Sequence, residues 1–225
     1  MERTKLYCSA LLLFICIFFT SCFEIVEELY IKKNGAGNFT FTLNMSESKT
    51  KLASIMMLDS VQGYKIPNKH ELQKQTQIVN QKLKQIAGLS NVGTKLDLNE
   101  YIAEIKFDFT NVQQINQAMK VLIEYYKIRN YSVPHYAYTL NTKQLTRTYN
   151  SKTTTINAYN KMKQADKNVF QQAKYTSIYR FEDEISSSTN ATTKISKNKK
   201  AAMQQTNLLN IVMNKTNINQ QITTK

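Results

Sequence analysis

The chain has 225 residues, 42% of them hydrophobic and 10% aromatic, enough apolar material for a packed core and too much for wholesale disorder. Thirty Lys and Arg against 16 Asp and Glu give a formal charge of +14. The lysines are scattered along the whole chain without a recognised nucleic-acid motif, so no nucleic-acid partner is expected.

Met1 to Cys22 reads MERTKLYCSALLLFICIFFTSC, with Arg3 and Lys5 as a basic start, an apolar run from Leu6 to Phe19, and small residues Thr20 and Ser21 before Cys22. That is the layout of a secretory signal. The apolar run is too short for the roughly 20 residues a membrane-spanning helix needs. Phe19-Thr20-Ser21-Cys22 resembles the lipobox of bacterial lipoproteins, in the Thr-Ser-Cys form common in the Bacteroidetes, although Phe19 stands where Leu, Val or Ile is usual. The resemblance implies that residues 1–21 are cleaved as a signal peptide. It also implies that Cys22 is lipidated, with a diacylglyceryl thioether on its sulfur and an acyl chain such as palmitate on its amine. Two or three acyl chains hold a protein on a bilayer permanently, where one binds only marginally. Cys8 and Cys16 leave with the signal, so residues 23–225 carry neither a thiol nor a disulfide.

Phe23, Ile25, Leu29 and Ile31 alternate along a first strand, and Phe39, Phe41, Leu43 and Met45 along a second. Asn34-Gly35-Ala36-Gly37 between them supplies turn residues, predicting a hairpin over 23–46; no helix or Lys-Ser/Thr pair follows to make it a phosphate loop. Leu52, Ile55 and Met56 predict a helix over 47–58, capped by Ser46 or Ser48, and Gly63 and Pro67 predict a loop after it. A capping box at Asn68 and Glu71 opens a helix with Leu72, Thr76, Val79, Leu83 and Ile86 on one face, and Gly88 is placed to end it. Leu89–Leu98 and Tyr101–Phe109 read as strands turning at Asn99-Glu100, followed by a helix from Val112 to Tyr126 capped by Thr110 or Asn111.

A tyrosine-rich stretch from Tyr131 to Tyr149 predicts a hairpin around Asn141-Thr142-Lys143, with a sub-lobe boundary near 128–132. Its tyrosines read as a partly buried strand, or as a groove for sugar or lipid. One helix is expected over Thr154–Ala173 and one strand from Tyr175 to Ile185, ending near Ser186-Ser187-Ser188. A last hairpin around Lys197–Lys200 and a short buried helix at Leu208–Met213 complete a single domain over 22–213, leaving 214–225 as a polar, fraying tail. The fold class is α+β: a largely antiparallel sheet built from hairpins, with helices packed on one face.

The whole of residues 23–213 resembles uncharacterised Bacteroidetes lipoproteins, through Phe23-Glu24-Ile25, the turn Asn34-Gly35-Ala36-Gly37-Asn38 and the strand Thr40-Phe41-Thr42-Leu43, and more distantly the LppM-type lipoprotein domain. Nothing in it points to catalysis. His70 reads as a surface residue and His135 as a loop-to-strand junction; two isolated histidines without cysteine make no zinc site. The carboxylates Glu27-Glu28 and Glu182-Asp183-Glu184 are adjacent in sequence, which sends strand neighbours to opposite faces and suits lysine pairing better than paired acid–base work. The expected protein is therefore no enzyme and needs no cofactor. It is a periplasm-facing envelope lipoprotein, on the outer membrane rather than the inner, binding lipid, glycan or another envelope protein. A glycan hydrolase acting through those carboxylates is the alternative. Because the first strand starts right after Cys22, with no Gly/Ser tether, the domain should sit against the bilayer and residues 22–30 should resist protease.

Overall fold

The computed structural model describes residues 23–61, 64–128 and 132–225. The signal stretch with Cys22, the loop residue Gly63 and Tyr131 lie outside the described residues. Thirteen strands and six α-helices make an α+β architecture among the described residues. The main sheet has seven strands in the order β11-β12-β9-β1-β2-β6-β5.

Strands β1 (Glu24–Ile31) and β2 (Gly37–Asn44) form the expected hairpin, Glu24 opposite Asn44 and Ile31 opposite Gly37. Gly37 is obligatory, since a Cβ there would sit 1.8 Å from the Tyr30 carbonyl oxygen. Strands β5 (Leu89–Asp97) and β6 (Ile102–Phe109) extend the sheet on one side, and β9 (Lys174–Phe181), β12 (Ala201–Asn207) and β11 (Lys194–Ile195) on the other. Every ladder is antiparallel except β1 with β9, a parallel pair at the centre that joins residues about 150 positions apart. Strand β1 is therefore hydrogen-bonded on both sides over its whole length.

The sheet's inner face carries Leu29, Ile31, Phe39, Phe107, Phe109, Tyr179, Phe181 and Ala202, all buried. Over one half of it pack α2 (Lys69–Lys84) and α3 (Gln113–Tyr125), which contribute Val79, Leu83, Ile115 and Ala118 to the same core. The capping box forms as the sequence predicts: Asn68 Oδ1 accepts from Glu71 N–H at 2.9 Å and Glu71 Oε2 accepts from Asn68 N–H at 2.8 Å. Helix α2 ends at Lys84, and Gly88, at φ +86°, serves the turn into β5 rather than the helix cap itself. Asn111 Oδ1 accepts from Gln113 N–H at 2.8 Å at the start of α3.

The other half of that face is covered by a second sheet, order β10-β13-β8-β7. Its hairpin, β7 (His135–Thr139) with β8 (Gln144–Thr148), is the one expected around Asn141–Lys143. Its other two strands correct the sequence reading. The serines at 186–188 do not end the strand; after a corner at Glu182–Glu184 they form β10 (Ile185–Ser188) in the second sheet. Residues 214–225 are not a fraying tail, because β13 (Gln220–Thr224) lies between β10 and β8 with Ile218, Gln220, Ile222 and Thr224 buried. The alternation at 218, 220, 222 and 224 is a strand pattern disguised by its glutamine. That amide is buried because Ser188 Oγ donates to Gln220 Oε1 at 3.2 Å, and Gln220 Nε2 donates to Thr193 Oγ1.

The expected helix over 154–173 is two, α4 (Thr153–Asn160) and α5 (Gln164–Gln171). An unbroken helix would carry Lys163 into the stripe of Ile156, Tyr159 and Phe170. The break leaves Lys163 exposed, extended at φ −67° and ψ 155°, and lets Tyr159 and Phe170 meet edge to face at 6.2 Å. Helix α6 (Leu208–Val212) buries Ile211 in a small second core with Tyr175 and Ile218. Helix α1 (Lys49–Ile55) exists but buries none of its residues and receives no side-chain cap from Ser48; the loop after it holds a minimal hairpin, β3 (Ser60–Val61) with β4 (Tyr64–Lys65).

Candidate functional site

The register aligns one end of the main sheet into a rim: Glu24 stands opposite Asn44 and Lys174, Asn44 opposite Ile102, and Ile102 opposite Asp97. Cys22 lies outside the described residues; Phe23, the first described residue, precedes β1 at this rim. The Phe23 ring packs edge to face on Phe170 at 5.6 Å, and the Phe23 carbonyl accepts from Lys174 N–H at 3.0 Å. The first residue after the cysteine is thus built into the domain. Beside it opens a cleft of about 590 Å³ lined by Glu24, Asn44, Glu47 and Lys174 among others.

The two histidines are both exposed, His70 in the first turn of α2 and His135 at the start of β7. The acidic run at 182–184 is taken up by three lysines, Lys33, Lys143 and Lys225. Glu182 Oε2 accepts from Lys33 N–H at 2.9 Å, Asp183 pairs with Lys33 at 3.0 Å and Lys143 at 3.2 Å, and Glu184 pairs with Lys225. The hydrogen bond from Lys33 holds the Asp183 carboxyl below its ordinary value, with Lys143 adding to the effect. These carboxylates pin the corner between the two sheets to the first hairpin and to the end of the chain, which is the lysine pairing the sequence suggests.

Glu27 and Glu28 do face opposite ways, but their partners are arginines. On the outer face, Glu28 lies 3.9 Å from Arg180, both largely solvated. Glu27 points inward and is 2% exposed, as is Arg147 of β8. Glu27 Oε2 accepts from Tyr175 OH at 2.8 Å and lies 3.4 Å from Arg147 Nη2, while Oε1 accepts from Tyr179 OH at 2.9 Å. Arg147 also donates to Tyr175 OH at 2.7 Å and to the Ile218 carbonyl at 3.0 Å. Its guanidinium carbon lies 5.4 Å from the Tyr175 ring centre and 6.0 Å from those of Tyr136 and Tyr149. The cluster bolts the main sheet, through β1 and β9, to the second sheet, through β8 and the approach to β13. Tyr136, at the heart of the tyrosine-rich stretch, is wholly buried here rather than lining a groove.

Glu27 is enclosed by Tyr175, Tyr179 and Arg147, so these contacts tie the two sheets together. Burial pushes the phenols of Tyr136, Tyr175 and Tyr179 well above their ordinary value, and the Glu27 charge pushes them further. Unfolded tyrosines ionise near pH ~10. The stabilisation is therefore complete below that pH and lost as pH rises above it, where only the unfolded chain releases those protons. In an alkaline titration, part of the phenolate absorbance of the 13 tyrosines should appear only in the step that abolishes the circular dichroism signal. A full, smooth titration with the fold intact would contradict the cluster.

On the second sheet, a cleft of about 510 Å³ is lined by Arg147 together with neutral groups that include Thr148, Asn190, Asn217, Asn219 and Gln221. Asn190 organises its rim, donating to the Asn217 carbonyl at 2.9 Å and the Asn219 carbonyl at 3.0 Å. Among the described residues no group of three His, Cys, Asp or Glu could hold a metal ion, and no helix is long and apolar enough to cross a membrane.

No protein-family model and no curated protein matches the sequence. Among solved structures, the chain is similar to the folded domain of LppM from Mycobacterium tuberculosis, determined by NMR, with a TM-score of 0.42 and 7% identity over 90% of this chain and 89% of that one. The class that the fold defines is an α+β domain.

Proposed function

We propose that the protein is an envelope lipoprotein anchored through Cys22, with a non-catalytic domain that binds or assembles lipid, glycan or another envelope protein at the membrane surface. The observation that carries this reading is the join between the signal and the fold. A basic start, an apolar run and Thr-Ser-Cys end one residue before the central strand of the sheet, and Phe23 is already packed against Phe170. Two or three acyl chains at Cys22 would make attachment permanent, and a single intervening residue, spanning at most about 3.6 Å, would hold the sheet's rim at the headgroups. The domain then lies on the periplasmic side, on the outer membrane rather than the inner; among the described residues no helix is long and apolar enough to cross a membrane. The cleft lined by Arg147 and by neutral amides and hydroxyls offers hydrogen-bonding groups to a polar ligand such as a glycan. The lysine pairing of the acidic run at 182–184 favours the non-catalytic reading over a hydrolase acting through those carboxylates.

Fractionating cells that express the full chain tests the anchor. The wild type is expected in the membrane pellet and the Cys22→Ser variant in the soluble fraction. Recovery of both in the soluble fraction would overturn the reading.

A further inference from the structure

We infer that the segment between β2 and α2 is a second membrane contact, in which Met57 and Leu58 enter the interface of the bilayer that carries the anchor. This rests on the lipid anchor at Cys22 proposed above.

The argument begins with placement. The segment leaves the main sheet at Asn44, on the same rim as Glu24. It is tied there by a bond from Met45 N–H to the Tyr101 carbonyl at 3.0 Å and by the ion pair of Lys49 with Glu100 at 2.7 Å. It also returns to that rim. Helix α2 runs antiparallel to β5, with Thr94 Oγ1 donating to the Thr76 carbonyl and Asn80 Nδ2 donating to the Val92 carbonyl. At about 1.5 Å per helical residue and about 3.3 Å per strand residue, the seven residues from Thr76 back to Lys69 match the three from Thr94 to Asp97. Lys69 is therefore level with Asp97, on the anchored rim.

Within this segment α1 buries no side chain, and the residues that follow it are apolar and open: Met57 is 85% exposed and Leu58 is 52% exposed. Exposed apolar surface gathered at one place, unlike apolar residues scattered singly, marks a contact site. The occupant follows from where they are. One residue separates the rim from Cys22, so the anchored bilayer is the surface this end meets. The charge is of the matching sign: Lys49, Lys51 and Lys65 against Glu47 and Asp59 leave the segment at +1 (three minus two), and Lys69 opens α2 beside it, suited to anionic headgroups. Apolar tips flanked by lysines whose stems can reach back to the surface are the pattern of interfacial insertion.

Leu140 supplies an internal control. It is 56% exposed, and it sits at the opposite end of the molecule, against Gly35 in the β1–β2 turn. Residues 23–225 contain no cysteine, so Met57→Cys and Leu140→Cys each give one thiol once Cys22 is lipidated. Each full chain, purified from envelopes, would carry an environment-sensitive dye and be reconstituted into vesicles of zwitterionic and anionic phospholipid. Side chains in the interface lie about 5–10 Å below the headgroups, so a bilayer-embedded quencher should act about threefold more strongly at position 57 than at position 140. Equal quenching at the two positions with the protein still co-sedimenting overturns the second contact and leaves the anchor standing. Loss of co-sedimentation overturns the anchor and, with it, the contact. A dye at 57 that stays in water in pure lipid but is shielded in native envelopes assigns the pair to a protein partner and also overturns the proposal.

Discussion

Replacing Arg147 by alanine is expected to cost about 3–5 kcal/mol of folding stability, because it leaves the Glu27 carboxylate buried without its countercharge. The two side chains are each 2% exposed, so water cannot take over the missing role. The substitution also removes the donor to the Ile218 carbonyl, loosening the approach to β13. A second variant separates charge from packing. Glu27→Gln keeps a carbonyl oxygen to accept from Tyr175 and Tyr179 but removes the negative charge. In that background, Arg147→Met should cost at least about 1.5 kcal/mol less than it does alone, a coupling within the range measured for groups in direct contact. Chemical denaturation of the four proteins gives the cycle. A loss below about 1 kcal/mol for Arg147→Ala would mean that the pair is not enclosed, since that is the range of exposed ion pairs.

The second large effect is expected at the other end of the chain. Ending the protein after Met213 removes β13, and with it the strand that pairs β10 and β8. Burial of Ile218 and Ile222 contributes about 1.5–3 kcal/mol each, and their removal also strips backbone hydrogen bonds from both neighbouring strands. The sum approaches the whole stability of a typical domain, about 5–15 kcal/mol. The shortened protein should therefore lose its cooperative thermal transition and be cleared by protease, while removal of Lys225 alone should be mild. An unchanged transition after truncation at 213 would contradict the second sheet as described.

Both effects arise where local pattern and tertiary structure part company. The β1–β2 hairpin, the capping box at Asn68, the β5–β6 pair and the β7–β8 hairpin are legible because each is closed by neighbours in sequence. The parallel β1–β9 pairing and the insertion of β13 between β10 and β8 depend on partners far away in the chain, which periodicity cannot report. The buried pair did leave a trace. Glu27 interrupts the face made by Phe23, Ile25, Leu29 and Ile31, and Arg147 interrupts the one made by Leu145 and Tyr149. A single charge within an apolar alternation, matched by an opposite charge in another strand, is a readable sign of an internal ion pair. In β13 the reverse holds: Gln220 falls on the buried face between Ile218 and Ile222 and makes a core strand look like a polar tail.

The structure also changes what protection near the anchor can mean. Residues 24–31 are paired on both sides within the seven-stranded sheet, so they should resist protease with or without a membrane nearby. Resistance there reports the fold, and proximity to the bilayer is read instead from the dye at position 57.

The claim on which the functional account stands is attachment through Cys22, and the comparison of wild type with Cys22→Ser tests it most directly when the membranes are washed in high salt. At about 1 M salt the screening length falls to about 3 Å, which strips a protein held only by the lysines of a chain with charge +14. The account predicts that the wild type stays in the washed pellet and dissolves only in detergent, while Cys22→Ser appears in the soluble fraction. A wild type released by salt, or a Cys22→Ser chain that stays in the pellet as firmly as the wild type, would contradict it.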